Sequence, residues 1–311
     1  MTVRSQAGAF PTAQSRLVSS RWTRGQALAA LILVLPGLAW FATFAVYPLL
    51  SSLWMSLHQV SLVGPWRWHG LANYLQVFDD PINSIALRNT LVYAALSVPA
   101  QIVLGFLAAS LVDMKVRFRV FFRLVYYLPV ISSWVVVSLI FQFLFHSHGL
   151  VNYVLADGLG LLPSGYPWLT RPWSALIAIA ILGVWKGIGW SMLIYLAALQ
   201  SVPDEIKDAA RIDGASGWQT LRWVTFPLLS RTTLFLVVLL TIGAFQSFIQ
   251  FYIITGGGPA NQTQVFLTYM YRQAFTFLDF GYAAAISWTL TALILVIAFI
   301  QMRFVREAYE Y

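Results

Sequence analysis

The chain has 311 residues, of which 59% are hydrophobic and 10% are charged, and its formal net charge is +8. Soluble domains carry roughly 25% charged residues, so this composition excludes an ordinary soluble protein and indicates a surface that faces lipid. The absence of cysteine from the sequence excludes disulfides and thiolate metal sites.

Six apolar runs are long enough to cross a membrane as helices, which takes about 20 residues each. The runs are continuously apolar and do not alternate as barrel strands do, so we expect an all-α polytopic membrane protein with six transmembrane helices. The predicted spans cover residues 27–50, 89–112, 124–145, 173–200, 232–254 and 282–302. Pro99 and Pro129 lie inside the second and third spans, and each removes a helix hydrogen bond, so we expect a kink at both.

Lys and Arg are distributed unequally between the two sets of loops. Fourteen of the nineteen lie before the first span or after the second, fourth and sixth spans, whereas four lie in the other loops. Positively charged loops stay in the cytoplasm, so both termini are predicted to be cytoplasmic. The net charge is therefore a topology signal, and we do not expect nucleic-acid binding. The predicted organisation is a basic tail over residues 1–25, a six-span domain over 26–305 and a short tail over 306–311.

Features of an enzyme are sparse. His146 and His148 stand in a predicted loop without a nearby carboxylate or third imidazole, which favours a solvated loop over a metal site. The spans contain no Asp or Glu, so an intramembrane protease or a carboxylate proton relay is unsupported. The sequence has no phosphate-binding G-x-x-x-x-G-K-[ST] motif, so we do not expect this chain to bind ATP.

Three polar side chains inside the spans have two interpretations each. Lys186 costs about 2.5–3.5 kcal/mol of insertion free energy at a span centre. It either binds an anionic substrate, such as a phosphorylated polyol, or is structural and bonds to helix carbonyls. Gln246 and Gln250 lie one turn apart in the fifth span and either face a substrate pocket or form hydrogen bonds between helices.

The polar loop over residues 201–230 has the pattern of two short helices. Pro203 suits the first turn of the first helix, and Gly214 suits a left-handed stop. Ser216 is positioned to cap a second helix, which Pro227 ends. This segment is either a connector that happens to be helical or a projection that another protein contacts.

One stretch of that loop, DAARIDGASGWQTLRWVTFPLL, resembles the EAA loop of ABC importer permeases, in which E-A-A is followed by D-G and then by Pro. The matching residues are Asp208, Ala209, Ala210, Asp213, Gly214 and Pro227. Asp208 stands where the family has Glu, which keeps the carboxylate but shortens its reach by one methylene. The segments GLANYLQVFDDP, VWKGIGWSMLIYLAALQSVP, TGGGPANQTQVFLTYMYRQAF and FGYAAAISW resemble parts of maltose-type and glycerol-phosphate-type permeases. The resemblance covers roughly residues 27–305.

The resemblance implies a heteromeric importer in the bacterial cytoplasmic membrane. Its other parts are a second permease subunit, two ATPase subunits that bind ATP and Mg, and an extracytoplasmic solute-binding protein. This chain is then non-catalytic and without a cofactor, and its EAA loop docks on an ATPase subunit. The residues that the resemblance assigns to a sugar site are Gly187, Trp190, Ala244 and Ser247. The expected substrate is a sugar or oligosaccharide; the alternatives are a glycerol-phosphate or phosphodiester importer and a stand-alone secondary transporter.

Overall fold

The computed structural model describes residues 24–60, 64–114 and 118–306. The predicted tails over residues 1–25 and 306–311 lie outside the described residues, apart from 24–25 and 306, which belong to helices. The chain divides into two units, Met1–Ser51 and Ser52–Tyr311. All of the sites discussed below lie in the second unit.

The described part of the chain starts with an apolar helix and continues into a short hairpin. α1 (Arg24–Phe41) is followed by a π-helical turn (Ala42–Val46) and by α2 (Tyr47–Ser56). Two short strands, β1 (His58–Gln59) and β2 (Arg67–Trp68), then pair antiparallel, with His58 opposite Trp68.

Helices make up most of the remaining chain. In order, they are α3 (Ala72–Asp79), α4 (Pro81–Asp113), α5 (Arg119–Ile131), α6 (Trp134–Leu144), α7 (Leu150–Asn152), α8 (Pro172–Leu199), α9 (Asp204–Ile212), α10 (Gly217–Gln219), α11 (Phe226–Leu228), α12 (Ser230–Phe245), α13 (Ile249–Ile254), α14 (Phe266–Phe275) and α15 (Phe280–Arg306). Two π-helical turns, Tyr153–Gly158 and Thr220–Thr225, and one 3-10 turn, Trp168–Thr170, connect some of them.

Five stretches of the described chain are long and apolar enough to cross a membrane, which confirms five of the predicted spans. They are Leu28–Ser56, Pro81–Asp113, Pro172–Leu199, Ser230–Ile254 and Phe280–Arg303.

The third predicted span differs from its prediction, because residues 124–145 do not form one continuous helix. α5 and α6 share this stretch and are bent by 96° at the break between them, which is the geometry of either one broken span or a re-entrant loop. Ser132 and Ser133, between them, have extended backbone with ψ of 147° and 133°. The break therefore lies three residues beyond Pro129, not at the proline. In the second span, α4 continues through Pro99.

α4 and α8 pack closely because glycines leave room for side chains of the facing helix. A Cβ at Gly105 of α4 would lie 2.5 Å from the Cβ of Ser191 and 3.2 Å from backbone atoms of α8. A Cβ at Gly183 of α8 would lie 2.3 Å from the hydroxyl of Tyr93. Small residues are enriched where membrane helices approach closely, since dispersion contacts and hydrogen bonds drive their association.

Asp80 fixes the end of α4 that lies away from loop 201–230. Its Oδ1 accepts a hydrogen bond from the backbone N–H of Ile82 at 2.8 Å, which caps α4. Its Oδ2 accepts hydrogen bonds from the hydroxyls of Tyr269 at 2.6 Å and Tyr282 at 2.8 Å. Burial, and then the neighbouring Asp80 carboxylate, raise the pKa of Tyr269, so its hydroxyl stays a donor at neutral pH. This carboxylate therefore joins the starts of α4 and α15 to α14.

The TGGGPANQTQ segment after α13 is held against α4 by side-chain to backbone hydrogen bonds. The amide of Asn89 donates to the carbonyls of Gln262 and Gln264, both at 2.8 Å. Within the segment, the hydroxyl of Thr263 donates to the carbonyl of Gly258 at 2.6 Å. Side chains thus donate hydrogen bonds to backbone carbonyls of this segment, which is neither helix nor strand.

Helix α9 of loop 201–230 ends in a Schellman motif. Gly214 has φ of +83°, and its N–H donates to the carbonyl of Arg211 at 3.0 Å. The N–H of Ala215 donates to the carbonyl of Ala210, also at 3.0 Å. This pattern satisfies the last carbonyls of the helix and needs a residue that tolerates positive φ, which is why glycine stands at this position.

Alanine substitutions at two glycines test the close packing of α8. A Cβ at Gly189 would lie 2.0 Å from the carbonyl oxygen of Tyr126, and one at Gly105 would meet the backbone of α8. We expect Gly105→Ala and Gly189→Ala each to cost about 1–3 kcal/mol of stability by overpacking. Thermal unfolding in detergent measures this effect, with Gly37→Ala as control because a Cβ there meets nothing within 4 Å. If both variants unfold at the same temperature as the control, the helices accommodate the added methyl groups without loss of stability, and the prediction is wrong.

Candidate substrate cavity and polar loop

A cavity of about 240 Å³ opens between α4, α5, α6, α8 and α12. Its polar and aromatic lining residues are Tyr93, Ser97, Gln101, Trp134, Lys186, Trp190 and Ser247. Gly183, Gly187, Gly243 and Ala244 add backbone surface. Such a mixture of aromatic faces and a few polar groups is typical of sites for small polar molecules.

The four residues assigned to a sugar site by resemblance all line this cavity. Gly187 and Trp190 come from α8, whereas Ala244 and Ser247 come from the end of α12 and the break that follows it. The indole of Trp190 is 46% exposed, which leaves a face open for stacking. Ser247 is buried, and its hydroxyl donates to the carbonyl of Gly243 at 3.2 Å. Their contact with substrate stays a prediction.

Lys186 lines the same cavity, but its ammonium group is bonded to helix carbonyls. Nζ donates to the carbonyls of Pro129 and Ser132, both at 2.7 Å, and of Val130 at 3.2 Å. It also lies 4.9 Å from the ring centroid of Trp134. These carbonyls lie at the end of α5, and that of Pro129 also accepts a hydrogen bond from the backbone N–H of Ser132 at 3.3 Å. The contacts are therefore those of the structural interpretation of Lys186.

The two glutamines of the fifth span do not line the cavity. Gln250 is buried, and its Nε2 donates to the hydroxyl of Tyr93 at 3.3 Å, which joins α13 to α4. This is the hydrogen bond between helices that was the alternative to a pocket-facing position. Gln246 is exposed at the end of α12.

The sequence analysis missed the α4 side of the cavity. Tyr93, Ser97 and Gln101 follow one another at intervals of four residues, so they share one face of the helix. Gln101 lies against Gly187, where a Cβ would be 1.8 Å from its Oε1. The signal that could have found them is this Y-x-x-x-S-x-x-x-Q spacing in an otherwise apolar span.

At the other end of α4, helix α9 is tied to the membrane helices by an ion pair. Nζ of Lys207 lies 3.3 Å from Oδ2 of Asp113, the last residue of α4, and 3.8 Å from Oδ1 of Asp204. Beyond the α9 turn, Ser216 and Gln219 form a capping box that starts α10.

The residues matched to the EAA pattern lie on α9, its turn and α11. Asp208 pairs with Arg211 of its own helix at 2.8 Å, and both side chains are largely exposed. Ala209, Asp213, Gly214 and Pro227 are exposed, whereas Ala210 is buried. Three large apolar side chains of the same loop face outward: Ile212 is 86% exposed, Trp218 61% and Trp223 68%.

Long apolar helices around an internal polar cavity, with a polar helical loop at one end, define a polytopic membrane protein of the transport class. Residues 101–307 match the family model for the inner membrane component of binding-protein-dependent transport systems. The chain belongs to this family, which confirms the resemblance drawn from the EAA-like segment.

Two curated relatives are similar over most of their length. The lactose transport system permease protein LacF of Rhizobium radiobacter is 35% identical over 280 residues, which cover 89% of this chain and 93% of LacF. The sn-glycerol-3-phosphate transport system permease protein UgpA of Yersinia pestis is 31% identical over 285 residues, which cover 90% of this chain and 95% of UgpA.

The fold is also that of a solved transporter. A chain of a bacterial alginate ABC transporter, crystallised in complex with an alginate pentasaccharide-bound periplasmic protein, superposes with a TM-score of 0.79. The match covers 92% of this chain and 96% of that one at 23% identity. The similarity confirms the predicted all-α permease fold.

Replacing Lys186 tests its structural interpretation. Lys186→Met removes three hydrogen bonds to carbonyls at the end of α5, at about 1–3 kcal/mol for each carbonyl that is left without another donor. We therefore expect a lower unfolding temperature of the purified chain in detergent, with no substrate present. Lys207→Met is the control, because the ion pairs it removes are partly exposed and contribute about 0–1 kcal/mol. Equal unfolding temperatures for the two variants would contradict the structural interpretation.

Proposed function

We propose that this chain forms half of the translocation pathway for a sugar or oligosaccharide in an ATP-driven importer. The cavity between α4, α8 and α12 carries this proposal, since it combines the exposed indole of Trp190 with hydroxyl and amide groups. Aromatic faces stack on the C–H surfaces of sugars, and neutral polar groups bind their hydroxyls. The similarity to the lactose permease protein LacF supports the same substrate class.

The importer has further subunits in this proposal. A solute-binding protein delivers the substrate, as the family description implies, and a second permease subunit completes the pathway. Two ATPase subunits bind ATP and Mg, so this chain is non-catalytic and needs no cofactor of its own. The complex lies in the bacterial cytoplasmic membrane with both termini of this chain in the cytoplasm, as the distribution of Lys and Arg indicates.

Loop 201–230 docks on an ATPase subunit in this proposal. Exposed large apolar side chains on one segment are typical of protein contact sites, and Ile212, Trp218 and Trp223 are all exposed on this loop. The ion pair of Lys207 with Asp113 joins the loop to α4, whose middle lines the cavity. Movement of the loop is therefore passed to the cavity wall. A stand-alone secondary transporter has no use for such a loop.

Uptake measurements with two tryptophan variants test the assignment of the cavity. In proteoliposomes that contain the whole importer, Trp190→Ala should lower substrate uptake about tenfold, since an aromatic contact contributes about 0.5–1.5 kcal/mol beyond its buried area. Trp185→Ala is the matched control, because Trp185 lies on the same helix, is similarly exposed and does not line the cavity. Assembly is checked by co-purification of the subunits. If both variants transport equally well, the cavity is not the substrate site.

Two glycine variants test the role of the loop. Gly214 has φ of +83°, whereas Gly217 has an ordinary helical backbone, and a Cβ at either meets nothing within 4 Å. Gly214→Val therefore differs from Gly217→Val in backbone strain, by about 1–2 kcal/mol. We expect Gly214→Val to reduce co-purification of the ATPase subunits or the ATP hydrolysis stimulated by the loaded binding protein, while Gly217→Val retains both. Wild-type coupling in Gly214→Val would show that the loop is only a connector.

The isolated chain, free of other subunits, should hydrolyse no ATP.

A further inference from the structure

We infer that the α4 face formed by Tyr93, Ser97 and Gln101 selects the substrate, and that this substrate is an uncharged sugar. The inference rests on the proposed function, because it assumes that the cavity holds the transported molecule. It adds residues on a third helix to those assigned by resemblance on α8 and near the end of α12. It also narrows the substrate from any sugar or oligosaccharide to an uncharged one.

Ser97 is the first observation. Its hydroxyl is fully buried in the cavity lining; it lies near the hydroxyl of Tyr93, but it has no partner at hydrogen-bond geometry within the described residues. A buried hydroxyl without a well-formed hydrogen bond is unfavourable, so a ligand hydroxyl that reached Ser97 would supply the partner that it lacks. The hydroxyl of Ser247, in contrast, already donates to its own helix.

Gln101 is the second observation. Its amide lies over Gly187, where even one Cβ would collide with Oε1 at 1.8 Å and with Cδ at 2.4 Å. The amide makes no hydrogen bond to any described residue, so both of its donors and its acceptor remain for a ligand. Sugar hydroxyls both donate and accept, which suits an amide one helical turn away from a serine hydroxyl.

Tyr93 completes this face and holds it in place. Its hydroxyl lines the cavity and accepts a hydrogen bond from Gln250, and its ring packs against Phe251 at 5.2 Å between centroids. Gly183 leaves the room that this hydroxyl occupies. Tyr93 therefore has contacts from two neighbouring helices, and Ser97 and Gln101 are the two groups of the face with free hydrogen-bonding capacity.

The charge of the lining argues for an uncharged substrate. Phosphate, sulfonate and carboxylate groups are usually bound by charged donors. Lys186 is the only charged residue among the described residues of the lining, and its three N–H groups are directed to three backbone carbonyls. An anion would therefore have to take these donors away from the end of α5. The relatives alone do not make this distinction, since one is named for lactose and another for sn-glycerol-3-phosphate.

Uptake from a defined mixture tests both parts of the inference. Proteoliposomes with the complete importer, ATP and the solute-binding protein are given equal concentrations of lactose, maltose, trehalose, arabinotriose, sn-glycerol-3-phosphate and an alginate trisaccharide. The accumulated compounds are identified by mass spectrometry. We expect accumulation of uncharged members alone. Accumulation of either anionic compound would overturn the uncharged class and leave the proposed importer intact, whereas no accumulation at all would contradict the proposed function itself.

Two variants then test the α4 face with the best-transported member of the mixture, and a third serves as control. Ser97→Ala and Gln101→Met should each raise the KM for uptake about tenfold with little change in the maximal rate, because each removes a hydrogen bond to a sugar hydroxyl. Ser138→Ala is the matched control: Ser138 also has a buried hydroxyl without a partner among the described residues, but it does not line the cavity. It should transport like the wild type.

Thermal stability separates recognition from a structural role. Removing an unsatisfied hydroxyl should leave the unfolding temperature of Ser97→Ala, without sugar, unchanged or slightly raised. A lowered unfolding temperature together with lost uptake would assign Ser97 to the fold. Wild-type KM values in both Ser97→Ala and Gln101→Met would overturn the role of the α4 face while the proposed function stands.

Discussion

The close contact between α4 and α8 is the constraint on which the cavity depends. Glycines on α8 make room for two polar side chains of α4: Gly183 for the hydroxyl of Tyr93 and Gly187 for the amide of Gln101. In a membrane, helices associate through packing and hydrogen bonds, so small residues at the contact contribute to stability. The same glycines allow polar groups to reach the cavity without separating the helices. The contact between α4 and α8 therefore determines both how closely the helices pack and which polar groups line the cavity. A larger residue at either glycine would disturb both.

The break between α5 and α6 shows how a buried charge can support a membrane fold. Irregular backbone at membrane depth is tolerated only where protein or a cavity satisfies its polar groups. The carbonyls at the end of α5 and the ammonium of Lys186 would each be costly to bury alone. Their three hydrogen bonds satisfy both sets of groups, and Trp134 covers the ammonium with its ring. The one cation inside the predicted spans therefore lies on the carbonyls at the break, as its structural interpretation requires.

Features encoded locally could be predicted from the sequence, whereas those that depend on distant contacts could not. Five spans follow from long apolar runs, and the turn at Gly214 and the cap at Ser216 follow from residues within one helical turn. The partners of Lys186 lie more than fifty residues away, so neither the break nor the role of the lysine has a local signal. Likewise, the polar spacing of α4 is visible in the sequence, but which helix covers that face is not.

α4 joins three regions of the structure along one continuous helix. Asp80 caps one end and binds two tyrosines, the middle lines the cavity, and Asp113 at the other end meets Lys207 of the polar loop. The ring of Phe226 in that loop also packs on Phe106 of α4 at 5.0 Å between centroids. A partly exposed ion pair contributes little stability, so its value lies in fixing where the loop sits on the helix. Two contacts resist rotation of the loop better than one. In the proposed importer, a displacement of the loop would then move the α4 wall of the cavity with it.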